Sequence, residues 1–131
     1  IDHFKQINDR YGHGFGDQVL RAVGRILKSV VADQGLAARL GGEEFALLLP
    51  AASLDRAEQI AARVRATVAC SRVRRKSGEV IDERLTISLG VTHFLDGEAM
   101  NEFVERADRA LYESKRAGRD RVTVVGHQGA H

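Results

Sequence analysis

Residues 38 to 50, ARLGGEEFALLLP, place Gly41 and Gly42, then Glu43 and Glu44, between a short apolar segment and a longer one that ends in Pro50. LAARL and EEFALLLP read as two short strands. The glycine pair between them permits the positive φ that a tight hairpin needs. The unbroken run from Phe45 to Leu49 predicts a strand covered on both faces.

On the N-terminal side, Val19, Leu20, Val23, Ile26, Leu27, Val30 and Val31 recur at helical spacing. They predict an amphipathic helix from roughly Gly16 to Asp33, ended by Gly35, with a shorter helix upstream around Asn8. On the C-terminal side, Ser53 is the expected N-cap of a helix that carries Leu54, Ala57, Ala61, Val64 and Val68 and runs to about Ser71. RVRRKSGEVIDERLTISLGVTHF, residues 72–94, predicts a hairpin turning at Ser77 and Gly78. In its second arm Leu85, Ile87, Leu89 and Val91 alternate with Thr86 and Ser88, the period of a half-buried strand. Met100, Phe103, Val104, Ala107, Ala110 and Leu111 predict a third long helix stopped by Gly118. RVTVV, residues 121–125, predicts a last edge strand before a loose polar tail, residues 126–131. This order implies one α+β domain, with helices packed on a largely antiparallel sheet.

A chain of 131 residues that is 44% hydrophobic and 29% charged suits one domain with a real core. Its net charge of +2 is too small for a general nucleic-acid binder, so no nucleic-acid partner is expected. Cys70 is the single cysteine, which excludes an internal disulfide framework and points to a reducing, cytoplasmic setting. No apolar run approaches the roughly 20 residues of a membrane-spanning helix, although the parent protein could be membrane-anchored. The five histidines lack zinc-ligand spacing, and no P-loop or aromatic stacking platform is present.

A glutamate pair is most often solvated charge. Here it opens an apolar strand, where neighbouring residues point to opposite faces, so the two carboxylates are expected to do separate jobs. The bare glycines ahead of them would let phosphates approach the backbone. Acidic oxygens beside phosphates suggest Mg²⁺, which usually takes one or two carboxylates plus substrate phosphate. In GHGFGD, residues 12–17, Asp17 reads either as a helix N-terminal acid or, with Asn8, as a reader of a guanine edge. A carboxylate accepts from the guanine N1–H and exocyclic amine, and an amide donates to O6 or N7. Lys115 and Arg119, four apart at a helix end, read either as charges complementing the helix dipole or as a triphosphate clamp on one face. Arg72, Arg74, Arg75 and Lys76 read as a solvated basic run.

In this order, DHFKQINDRYGHGFGD (2–17), RLGGEEF (39–45) and ADRALYESKRAGRDRV (107–122) resemble the GGDEF family, the diguanylate cyclases, in its GGEEF form. The resemblance implies a fold like the palm of polymerases and nucleotidyl cyclases over residues 1–125. It implies condensation of two GTP molecules into cyclic di-GMP, with Mg²⁺ (or Mn²⁺) as cofactor. Glu43 and the Ile1 backbone carbonyl would hold the metal, and Glu44 would act near the attacking 3′-hydroxyl. Asn8 and Asp17 would bind guanine. Lys115 and Arg119 would bind the phosphates, helped by backbone amides around Phe4 and Lys5, and Gly41 and Gly42 would clear space for the α-phosphate. Each subunit would hold one GTP, so a homodimer is implied, with a sensory or receiver domain upstream. A non-catalytic GTP-binding or dimerisation module is the alternative. The family's second metal carboxylate would directly precede Ile1, on a strand that this chain lacks, so the domain is expected to be N-terminally incomplete. Its product-inhibition motif, Arg-x-x-Asp, would fall on Ala32 and Gly35, so feedback through that site is not expected.

Overall fold

The computed structural model describes residues 1–81 and 83–126. In chain order the elements are α1 (Phe4–Tyr11), α2 (His13–Val31), β1 (Leu36–Gly41), β2 (Glu44–Leu48), α3 (Leu54–Ala69), β3 (Ser88–Val91), α4 (Met100–Arg116) and β4 (Arg121–Val124). The expected α+β class holds. The predicted tail from residue 127 onward lies outside the described residues.

The core follows the apolar stripes. Val19, Val23, Leu27, Val30 and Val31 of α2 meet Ile60, Val64 and Val68 of α3, with Val73, Ile81, Leu85 and Ile87 joining from the segment before β3. Ser53 caps α3 as expected, its hydroxyl accepting from the Arg56 N–H at 3.1 Å. α2 starts three residues earlier than predicted, behind Gly12 at φ 90°, and ends at Val31 rather than Asp33. Gly35 therefore does not cap the helix. It is instead where the backbone carbonyl of Leu48 comes so close that a Cβ would clash.

Strand pairing is mixed. β1 and β2 form an antiparallel hairpin, whereas β3 and β4 run parallel, because α4 carries the chain back across to start β4 at the same end. Among the described residues the predicted 72–94 hairpin contracts to an Arg74–Val80 bridge around the Ser77–Gly78 turn, and Ser88–Val91 is the part that forms a strand. The run Phe45–Leu49 is covered on one face, not two. Phe45, Leu47 and Leu49 pack onto the core, while Leu48 is 52% exposed opposite Leu36. Among the described residues no helix is long and apolar enough to cross a membrane.

One buried ion pair fixes α4. The Arg106 guanidinium donates to both Glu98 oxygens at 2.7 Å, to the His93 carbonyl at 2.6 Å and to the Thr92 hydroxyl at 2.8 Å. The Arg106 bonds to the Glu98 carboxylate, opposed by burial and helped by the Leu95 N–H, lower the pKa of Glu98 to about 2 from an ordinary 4.5. A carboxylate depressed in the folded state stabilises the fold above its unfolded pKa, and that stability is lost as pH falls toward the folded value. Glu98→Gln is expected to lower Tm at pH 7 and to flatten the fall in Tm between about pH 4.5 and 2. Melts followed by circular dichroism check this, and an unchanged acid limb contradicts it.

Candidate active site

At the tip of the β1–β2 hairpin, Gly41 pairs with Glu44, so Gly42 and Glu43 form a two-residue turn. Gly41 has φ 146° and Gly42 φ 54°, values that favour glycine, and the space where their Cβ atoms would stand is empty. The Arg39 Nε–H donates to the Gly42 carbonyl at 3.0 Å and steadies the turn. The pairing register shifts between Arg39 and Gly41. Glu43 thus lies in the turn and only Glu44 is in the strand. The two acids differ as turn and strand residues, not as opposite faces of one strand. Both are exposed.

The first residues of the chain reach this tip. The Ile1 backbone nitrogen donates to the Glu43 carbonyl at 3.2 Å, and the Asp2 N–H donates to the Thr86 carbonyl at 3.0 Å.

Lys115 sits in the last turn of α4. The helix closes with the Arg119 N–H bonded to the Ser114 carbonyl and the Gly118 N–H to the Lys115 carbonyl, with Gly118 at φ 121°. This is the Schellman pattern. Arg119 lies beyond the helix at φ 66°, so it is not on a helical face with Lys115 as predicted. Its nearness to the site comes from the turn instead: the next residue, Asp120, donates its N–H to Asp2 Oδ2 at 3.1 Å. Both cations are exposed, and neither side chain has a protein partner among the described residues.

Phe4 and Lys5 open α1, whose first turn has no side-chain cap. Their amides have no acceptor within the helix, which suits an anion. Asn8 follows one turn on and packs against Gly16 of α2 so closely that a Cβ on Gly16 would strike its amide. The Asn8 Oδ1 is buried and has no hydrogen-bond partner, as expected of a polar group awaiting a ligand. Asp17, next to Gly16, lies in the second turn of α2 and is exposed. The reading of Asp17 as a first-turn acid therefore does not hold.

For Mg²⁺, the chain offers hard oxygen donors: the Glu43 and Glu44 carboxylates beside the Ile1 backbone. Asp2 is not among them, because its oxygens are occupied by Thr86, Ser88 and Asp120. No cluster of three acidic, His or Cys side chains that could hold a metal occurs among the described residues. One or two carboxylates suit Mg²⁺, which takes its remaining ligands from water and phosphate.

Sequence reasoning missed Asp2. Burial would raise its pKa, but the Ser88, Thr86 and Asp120 hydrogen bonds outweigh burial and hold it below the ordinary aspartate value. The available signal was Thr86 and Ser88, two hydroxyls on one face of an otherwise apolar segment.

These features define an α+β domain whose first residues meet the glycine turn at Glu43 and are tied through Asp2 to the turn that follows α4. A sequence model of the diguanylate cyclase GGDEF domain matches residues 1–121, and the chain belongs to the GGDEF family. It is 46% identical over 123 residues to diguanylate cyclase VdcA of Vibrio cholerae, covering 93% of this chain and 36% of that protein. It is 47% identical over 125 residues to diguanylate cyclase DgcP of Pseudomonas aeruginosa, covering 95% of this chain and 18% of that protein. The chain therefore spans about a third or less of these curated relatives. Among solved structures, the coiled coil and GGDEF domain of DgcB from Caulobacter crescentus, in complex with c-di-GMP, superposes with a TM-score of 0.89 at 39% identity, covering 95% of this chain and 65% of that one.

Proposed function

We propose that this domain is the catalytic part of a diguanylate cyclase that joins two GTP molecules into cyclic di-GMP. The observation that carries the reading is the contact of Ile1 with the Glu43 carbonyl at an open glycine turn, together with an uncapped helix start and a buried, partnerless Asn8 oxygen. Asn8 and Asp17 bind the guanine edge, and selectivity against adenine follows because adenine lacks the adjacent N1–H and 2-amino donors that a carboxylate accepts. The first-turn amides of α1, Lys115 and Arg119 hold the phosphates, Lys as a point charge and Arg as a planar fork. Gly41 and Gly42 leave the hairpin tip open to the α-phosphate.

Glu43 and the Ile1 carbonyl would hold Mg²⁺ or Mn²⁺, which when bound lowers the hydroxyl pKa and neutralises developing charge. Glu44 takes or orients the 3′-hydroxyl proton. The 3′-oxygen of one GTP attacks the α-phosphorus of the other, and the bond to the departing pyrophosphate breaks. The reciprocal step closes the ring and releases the second pyrophosphate. Each domain holds one GTP, so two domains face each other as a homodimer, and positioning supplies much of the rate. An upstream sensory or receiver domain would govern that pairing, and the cytoplasm, where GTP is present, is the proposed location.

The test is to incubate the intact protein with GTP and Mg²⁺ and to resolve the products by chromatography. Cyclic di-GMP and pyrophosphate are expected in a 1:2 ratio. GTP binding without product from a demonstrated dimer would favour the non-catalytic module instead.

A further inference from the structure

Asp2 is 6% exposed, yet three donors meet its carboxylate: the Thr86 hydroxyl at 2.8 Å, the Ser88 hydroxyl at 2.6 Å and the Asp120 N–H at 3.1 Å. Three of its roughly four acceptor positions are thereby filled from within the protein, so this carboxylate is held as a structural group. What it touches is informative. Asp120 and its neighbour Arg119 both have left-handed backbones, φ 49° and 66°. For residues with a Cβ such a backbone is strained, less so for aspartate than for arginine, and it persists where surrounding bonds impose it. Within the turn, the Arg121 Nε–H donates to the Arg119 carbonyl at 2.9 Å. The Arg119 N–H reaches Ser114, and the Asp120 carboxylate takes Arg65 at 2.9 Å and Arg84 at 3.3 Å. The Asp120 N–H to Asp2 is the bond that ties this turn to the segment carrying Ile1. The exposed Arg119 guanidinium has no protein partner among the described residues, so its backbone sets its position.

We propose that Asp2 is a positioning residue that couples the two halves of the nucleotide site. Through the Asp120 amide it fixes the Arg119 turn, and through its own backbone it fixes Ile1 beside the Glu43 turn. One buried carboxylate thus sets the span between the phosphate-binding arginine and the acidic hairpin tip. Thr86 and Ser88 orient that carboxylate from β3 and the residues just before it, so the span is referenced to the sheet. The proposal rests on the assignment of Arg119 to the triphosphate.

The test is a double-mutant cycle in the intact protein, titrating a GTP analogue with an uncleavable α,β-bond in the presence of Mg²⁺. Arg119→Ala and Asp2→Ala are each expected to weaken binding roughly tenfold, the scale of one lost charge-assisted hydrogen bond. The double variant is expected to bind no more weakly than Arg119→Ala alone, because without the guanidinium there is nothing left to position. Asp2→Asn keeps an oxygen for the Asp120 amide and is expected to stay within about twofold of the parent. If the alanine variant does not melt cooperatively, Asp2→Ser replaces it, since its hydroxyl is too short to reach the Asp120 amide. Losses that multiply in the double variant, or parent-like binding by the soluble Asp2 variant, overturn the proposal while leaving Arg119 in the site. An Arg119→Ala variant that binds like the parent overturns the triphosphate assignment itself, and the proposal with it.

Discussion

Glutamine at position 44 is expected to slow cyclic di-GMP formation by roughly 10²–10⁴-fold, the range of a lost general acid–base group, while leaving the fold untouched. The two halves of that expectation come from the same geometry. Glu44 opens β2 on the solvent side of the hairpin, opposite the face where Phe45, Leu47 and Leu49 enter the core. It makes no hydrogen bond within the protein among the described residues, so its replacement should change stability by no more than roughly 0.5 kcal/mol. An acid retained on an exposed strand end without a structural partner is free to serve a ligand. The measurement is initial rate in the dimer alongside a thermal melt. A variant as fast as the parent removes Glu44 from the mechanism. A variant that is slow because it melts early would assign the residue to stability instead.

Gly90→Ala is expected to have the largest effect on the fold. Gly90 lies in β3 directly under α4, where a methyl group would press on the Leu111 amide and come within 2.5 Å of the Ala107 carbonyl. Those atoms are helix backbone, which cannot swing aside as a side chain can, so α4 must lift as a unit. The neighbouring contacts then fail together: the Ser114 hydroxyl to the Leu89 carbonyl at 2.7 Å, and the Arg106 fork to Glu98. The expected loss is at least about 3 kcal/mol, the upper part of the overpacking range. Lys115 and Arg119 move with the helix end, so nucleotide affinity should fall as well. Gly24→Ala is the control. It sits in α2, where a Cβ would make only ordinary contact with Phe45 at 3.9 Å, and it should be neutral or stabilising by up to about 1 kcal/mol. Denaturant titration of both variants checks the contrast. Equal stabilities would mean that α4 does not pack on β3 as described.

The legible parts of the fold are those written in local periodicity. The stripe of α2, the Ser53 cap of α3 and the Gly118 stop of α4 are each set by residues within one or two turns of one another, and each appears where the spacing places it; the glycine hairpin forms too, with its turn one residue later, at Gly42 and Glu43. Errors begin where a distant segment decides. Gly35 looked like a helix stop but answers to the Leu48 carbonyl. β4 pairs parallel to β3 because α4 crosses between them, a choice invisible within RVTVV. The second strand of the 72–94 segment is shorter than its alternation suggests, because Leu85 and Ile87 join the core ahead of β3 rather than extending the strand.

The candidate site divides the same way. By itself the sequence determined which groups bear the chemistry: two acids behind two glycines, an Asn and an Asp near a helix start, and a Lys and an Arg near a helix end. The three motifs in their order also determined the family. Only the tertiary structure decided how these groups are held: Asn8 wedged against Gly16, Glu43 in the turn rather than the strand, Arg119 beyond its helix, and Asp2 bonded to Thr86, Ser88 and Asp120. The physical reason is range. Helix periodicity and turn conformation are properties of neighbouring residues. A buried carboxylate between partners more than eighty residues away in the chain has no local signature, because its cost and its compensation appear only once the chain has folded.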